Sequence, residues 1–259
     1  MPDLLHPSLI LGIFVGGAAG YLGSLMLSRR MALVAGPLGH LALPGIALAL
    51  LCELDVSLGA FPFVIVGVVL IWVFERSTKL PMEALTAIVF AGGLAVAFLF
   101  LPMEQAEAAL VGDILQVEGG DAAISVVAAL GVWLAARRAY PRLVLGDISE
   151  DLAVAEGIDV GRNTLLYLLL IGVIVALGVK MVGGLLTAAL VAIPPAAARN
   201  VTGDLARYTG GAVTIGVASA IVGVVLGGWT GLPAGPLIIL ASTAAFLGTL
   251  PFAGRMSEG

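Results

Sequence analysis

Charge is scarce in this sequence. Asp, Glu, Lys and Arg together make up 11% of the chain, against about 25% in soluble domains, so there is too little charge to cover a water-facing surface. Cysteine occurs once, at Cys52, which excludes an internal disulfide and any cysteine metal cluster. Cys52 itself reads as a small apolar residue near the end of a span. Histidine occurs only twice. No Walker A run is present, so the chain is not expected to bind ATP through a P-loop, and no HExxH is found. The deepest apolar runs hold no Asp pair and no histidine with a flanking Glu, so catalysis is not expected of this polypeptide. The N-terminal MPDLLHPS carries an acid and no basic stretch, unlike a cleaved signal peptide. No Gly/Ser linker and no internal repeat divides the chain, and one domain over 1–259 is expected.

What fills the chain is apolar: 60% hydrophobic residues and 35 glycines, with a mean hydropathy of +1.13. Glycine is commoner in membrane helices than in soluble ones. A span needs about 20 apolar residues, and runs of that kind lie at 8–27, 31–52, 58–75, 82–101, 122–139, 164–180, 181–198, 210–229 and 235–252. The stretch 164–198 would be about 52 Å long as one helix, beyond a hydrocarbon core of about 30 Å. It is therefore two short spans turning near Lys180–Gly184 or one span followed by a broken helix. The expectation is an all-α, polytopic membrane bundle of eight or nine transmembrane helices in a lipid bilayer.

Basic residues set the orientation, because cytoplasmic loops carry the excess of Lys and Arg. With the N-terminus outside and nine spans, every Lys and Arg except Lys180 falls on the inner side. Asp3, Glu53, Asp55, Glu104, Glu107, Asp113, Glu118 and Asp121 fall outside. The reading is N-out, C-in. The net charge of −5 is segregated by loop, and no nucleic-acid partner is expected. Gly12, Gly16 and Gly20, and again Gly223, Gly227 and Gly231, recur every four residues. That spacing lets helix backbones approach closely, and packing within the chain is the simpler use of both stripes.

The stretch GPLGHLALPG, 36–45, interrupts an otherwise apolar run. His40 lies about 14 and 18 Å from the two ends of its span, close to mid-bilayer, where an ionisable residue marks a functional site by default. Pro37 and Pro44 remove backbone donors, and Gly36, Gly39 and Gly45 remove bulk. Freed carbonyls at that depth are tolerated only where protein buries them or water wets them, and discontinuous helices at the midplane build transporter sites. A hydrated path lined by Gly39, His40, Pro44 and Gly45 is expected. Neutral imidazole is the commonest ligand for borderline cations, so His40 is the candidate transient metal ligand. The alternative is a neutral histidine donating to a neighbouring helix.

A second segment, GDISEDLAVAEGIDVGRN, 146–163, reads as a short helix on the inner side. Ser149 caps it, Glu150 and Asp151 match the N-terminal dipole, and Gly157 ends it. Leu152, Ala155 and Glu156 share a face. The helix is either a solvated connector or a docking element for a cytoplasmic motor. The outer segment 102–121 mixes acids with an apolar LVGDIL, and reads as a re-entrant or interfacial helix flanked by solvated acids.

Taken in order, these stretches resemble the permease subunits of zinc/manganese/iron ABC importers. RRMALVAGPLGHLALPGIALALL is similar to the family's second-helix signature, with His40, Pro44, Gly45, Ile46 and Ala47 on the pattern. MEALTAIVFAGGLAVAFLF, 82–100, keeps Thr86, Ala87, Val89, Phe90 and Gly92 of a second motif, and LVGDIL, 110–115, resembles a third. EDLAVAEGI, 150–158, is similar to the cytoplasmic helix that docks on the ATPase, which assigns coupling to Glu150, Asp151, Leu152, Ala155 and Gly157. VGGLLTAALVAIPPAAAR, 182–199, looks like the family's late helix. The resemblance implies a homodimer in a bacterial-type cytoplasmic membrane, two cytoplasmic ATPase subunits that use the ATP, and an extracytoplasmic metal-binding protein. No cofactor is expected on this chain itself, and the divalent metal is cargo. Two His40 side chains would then face one two-fold path. The family's Asp and Ser ahead of the histidine are replaced here by Pro37 and Gly39, which removes a hard ligand and tilts the preference toward zinc. Two other readings stay open: a permease for an organic ligand or metal chelate, and a non-transporting scaffold of the same fold.

Overall fold

A backbone in hydrocarbon has to satisfy its own polar groups, and a helix does so within one segment. The computed structural model describes residues 2–29, 31, 35–52, 56–100, 114–116, 119–184 and 186–253. Among them the chain forms α1 (Pro2–Ser28), α2 (Ala35–His40), α3 (Ala42–Leu51), α4 (Val56–Ser77), α5 (Met82–Phe100), a 3-10 turn (Ile114–Gln116), α6 (Gly119–Ile148), α7 (Glu150–Ala155), α8 (Val160–Val182), α9 (Thr187–Arg199), α10 (Leu205–Thr230) and α11 (Ala234–Ala253). Seven of these helices are long and apolar enough to cross a membrane. The protein is an all-helical membrane bundle.

Two apolar runs depart from simple spans. The run 31–52 is broken into α2 and α3 at Leu41. The run 164–198 is one full helix, α8, followed by a 13-residue α9. At about 1.5 Å per residue α9 is about 20 Å long, too short for the hydrocarbon core. Gly183, at φ 85°, ends α8 with its N–H on the Val179 carbonyl at 2.9 Å. A positive φ suits glycine, and the chain turns at this glycine, within the expected stretch Lys180–Gly184.

Most of the outer segment expected between 102 and 121, with residues 110–113 of LVGDIL and Glu104, Glu107 and Glu118, lies outside the described residues. Its described part is tied to α1: Ile114 is buried, and its carbonyl accepts a 2.9 Å hydrogen bond from Ser8 Oγ.

Glycine governs how the helices meet. α1 packs along α10, and a Cβ on Gly16 would stand 2.8 Å from the Gly216 carbonyl oxygen. Gly20 meets the Ala212 backbone, and Gly12 meets Ala220 at 3.4 Å. The first stripe is thus a seam within one chain. The second stripe divides: Gly223 and Gly227 lie against Ile238 and Ala234 of α11, whereas Gly231, at φ 72°, is the left-handed cap that ends α10. Gly231 therefore serves the turn, not the seam.

One end of the bundle gathers the basic residues. Trp72 Nε1 near the end of α4 donates to the Gly161 carbonyl at the start of α8, 2.8 Å away. Tyr208 at the start of α10 donates to the Ser24 carbonyl near the end of α1. Asn200 Nδ2, after α9, donates to Thr249 Oγ1 near the end of α11. Arg29, Arg76, Arg162, Arg199 and Arg207 all lie at these helix ends, as does α7.

Candidate functional site

Pro44 determines where the second span breaks. It occupies the first turn of α3, where a missing N–H costs nothing. Its ring acts four residues upstream, against the carbonyl of His40. The helix ends there, and the Leu41 N–H is shared between the Pro37 and Leu38 carbonyls at 3.2 Å each. Pro37 likewise sits in the first turn of α2. The two prolines therefore do not bracket two separate breaks; one interruption follows directly on the histidine.

His40 is half-buried, and its ring faces Phe90 of α5, with centroids 5.4 Å apart and planes tilted by 43°. The neighbouring residues named with it from the sequence do different work. Gly39 is buried against the turn after α8: a Cβ there would lie 2.8 Å from the Gly184 carbonyl oxygen. That close approach leaves no room for a serine side chain without a shift, which accounts physically for glycine at this position. Gly45 and Gly59 hold α3 and α4 backbone to backbone, each in the space a Cβ would need. Pro44 is buried and lies 3.8 Å from where a Cβ on Gly93 would stand. Of the four residues expected on the path, His40 alone is part-exposed; the other three are buried in helix contacts.

Beside α2 opens a groove of about 570 Å³, lined by Gly36, Pro37, Glu83, Ala87, Ala188, Ala189 and Ala192. Pro37 precedes His40, and Ala87 precedes Phe90, by three residues, or about 4.5 Å of helix. The groove therefore lies one turn from the His40–Phe90 pair, toward the end that carries Arg76 and Lys79. Glu83, exposed in the first turn of α5, is its one acid. Sequence reasoning did not single out Glu83, although Glu83, Ala87 and Phe90 fall at i, i+4 and i+7 and so share a face. Among the described residues no three His, Cys, Asp or Glu side chains cluster as metal ligands do.

The second candidate site is α7. Ser149 Oγ accepts the Leu152 N–H at 3.2 Å, with Glu150 and Asp151 in the first turn. The Ile158 N–H reaches the Ala153 carbonyl at 2.9 Å and the Gly157 N–H reaches Val154 at 3.0 Å. With Gly157 at φ 75° this is a Schellman ending. Ala153 is fully buried, and Leu152, Val154 and Ile148 are exposed at 54%, 61% and 75%. Two large apolar side chains thus stand in the open on a six-residue helix whose only buried residue is an alanine, and a third, Ile148, stands just before it at the end of α6. Val154 and Ile148 join the residues expected there.

Known proteins resemble the chain along nearly its whole length. The high-affinity zinc uptake system membrane protein ZnuB of Buchnera aphidicola subsp. Schizaphis graminum is 25% identical over 254 residues, covering 95% of this chain and 97% of that protein. The manganese transport system membrane protein MntC of Listeria monocytogenes is 24% identical over 257 residues, 98% of this chain and 92% of its own. The solved structure of PsaBC from Streptococcus pneumoniae in complex with Fab superposes with a TM-score of 0.84 at 24% identity, covering 98% of this chain and 93% of that one; at that identity it speaks for the fold. The family model of the ABC 3 transport family matches residues 1–253, and with the helical bundle in agreement, the chain is a multi-pass membrane permease belonging to that family.

Proposed function

We propose that this chain forms the translocation path of an ATP-driven importer for a divalent transition metal in a bacterial cytoplasmic membrane. The observation that carries the reading is His40, half-buried at the break before Leu41 and set against Phe90, one turn from the alanine-walled groove that holds Glu83. The imidazole offers a borderline ligand and Glu83 a hard one. Passage asks for weak, incomplete coordination, and a homodimer would bring two such sets to one axis. Zinc and manganese are the candidate ions, with iron the third; the positions of Pro37 and Gly39 carry no ligand, which favours zinc.

ATP is hydrolysed by a separate subunit pair that docks on α7 through Leu152, Val154 and Ala155, with Glu150 and Asp151 in its first turn. A metal-binding protein delivers the ion from the side opposite the basic end, so the topology is N-out and C-in over eight or nine spans. The assay is uptake of zinc, manganese and iron by vesicles holding the reconstituted complex, with wild type and His40→Ala. Equal uptake by both would remove His40 from the path. The size of the groove favours a second reading, in which the cargo is a metal held by a small organic chelator. Uptake that requires the chelator, and is lost with the free ion, would select it.

A further inference from the structure

We infer that the outer face of α6 binds an anionic phospholipid, whose headgroup is held by Arg137, Arg138 and Arg142. One face of α6 is committed to the bundle: Ala122, Ala129, Ala136 and Leu143 are buried at seven-residue intervals, where the helix packs on α1 and α8. Ile124, Val127, Leu130 and Leu134 are exposed on the opposite face. They recur every three or four residues and so form one stripe, which in a bilayer lies along acyl chains. The stripe runs straight into charge. Arg138 and Arg142 follow Leu134 at i+4 and i+8, with Arg137 and Pro141 beside them, and all four are exposed.

Depth and pairing decide what these arginines meet. Counted from Ala122, they stand about 23 to 30 Å along the helix, at the boundary of a hydrocarbon core about 30 Å thick. The Arg137 guanidinium lies 5.4 Å from the centroid of the Trp133 ring, one turn back toward the apolar stripe. A cation folded in that direction needs an anion beside it. Other arginines of this end find one within the chain: Arg162 pairs with Asp159 at 3.1 Å and Arg207 with Asp204 at 3.4 Å. Among the described residues no carboxylate pairs with Arg137, Arg138 or Arg142. The partner that fits has a phosphate at headgroup depth and acyl chains along the stripe. Guanidinium N–H groups match phosphate oxygens bidentately, and a guanidinium stacked on a ring keeps that edge free. A zwitterionic headgroup brings its own cation against three arginines, whereas a net anionic one does not, so the face selects the anionic lipid.

The experiment uses the full chain, purified in detergent, stripped of lipid and offered phosphatidylglycerol and phosphatidylcholine in equal amounts. Native mass spectrometry then counts the lipid retained. Wild type should keep phosphatidylglycerol over phosphatidylcholine by at least about fivefold, the preference that one arginine near an anionic lipid surface supplies. Combining Arg137→Gln, Arg138→Gln and Arg142→Gln should erase that preference. Arg162→Gln with Arg207→Gln, at the same end of the bundle, should leave it unchanged. Thermal unfolding without lipid checks that the triple variant folds; where it does not, Arg138→Gln and Arg142→Gln are read singly, each expected to lower the preference in part. Equal retention of the two lipids by wild type, or a preference that survives the arginine variants, would overturn the inference. So would displacement of the lipid by inorganic phosphate at matched ionic strength, which would assign the arginines to a soluble anion. A dimer that dissociates in the triple variant, with no lipid preference in wild type, would give the face to a second copy of the chain instead.

Discussion

The rings of His40 and Phe90 face each other across the α2–α5 contact, 5.4 Å apart. On the proposed path, an ion would pass this pair between the middle of the bundle and the groove. His40 is the ligand proposed at that depth, and His40→Ala should lower metal uptake about tenfold or more, as loss of a metal contact commonly does. Phe90→Ala should do the opposite to the barrier. With the ring gone the path beside His40 widens, and metal should leak from loaded vesicles without ATP faster than in wild type. A leak no greater than wild type would show that Phe90 closes nothing.

The contact between Gly45 and Gly59 can be weighed against a glycine that touches nothing. A Cβ on Gly45 collides with the Gly59 carbonyl, whereas Gly92, on α5, has open space around it. Gly45→Ala should destabilise the protein by about 1–3 kcal/mol, as over-packing does. Gly92→Ala should be neutral or stabilising by up to about 1 kcal/mol, because alanine restricts the unfolded chain and favours helix. Thermal unfolding in detergent separates the two, and equal shifts would mean that α3 and α4 are not in close backbone contact.

Docking at α7 makes a prediction with two parts. Ser149→Ala should weaken the helix by about 1 kcal/mol through loss of its cap, leaving assembly intact but less heat-resistant. Leu152→Arg with Val154→Arg should abolish co-purification with the ATPase, since both side chains are exposed and neither supports the fold. If the arginine variant still purifies as a working complex, the docking surface lies elsewhere.

Much of this was legible in the sequence, and the rest was not, for physical reasons. The caps of α7 were readable because Ser149 and Gly157 act on their own neighbours, through one side-chain bond and one positive φ. The interruption at His40 was readable as a kind of feature but not in place. Pro44 exerts its effect on the residue four before it, so the break falls at Leu41 and the two prolines sit harmlessly in first turns. The glycine seam of α1 was visible as a stripe, yet its partner, Gly216, is some two hundred residues away. The groove was hidden for the same reason: α2, α5 and α9 contribute to it, and no local pattern states which face of each meets the others. Glu83 therefore looked like an ordinary acid in a first turn.

Orientation can be read with the chain's own thiol. Cys52 is exposed at the end of α3, at the opposite end of the bundle from Arg29 and Arg76. Thr78, exposed just after α4, lies at the basic end. If that end faces the cytoplasm, as the segregation of Lys and Arg requires, a membrane-impermeant maleimide should label Cys52 in intact spheroplasts. A Cys52→Ser, Thr78→Cys variant should be labelled only after permeabilisation. The reverse pattern would invert the bundle, place α7 outside, and remove the basis for docking a cytoplasmic ATPase on it.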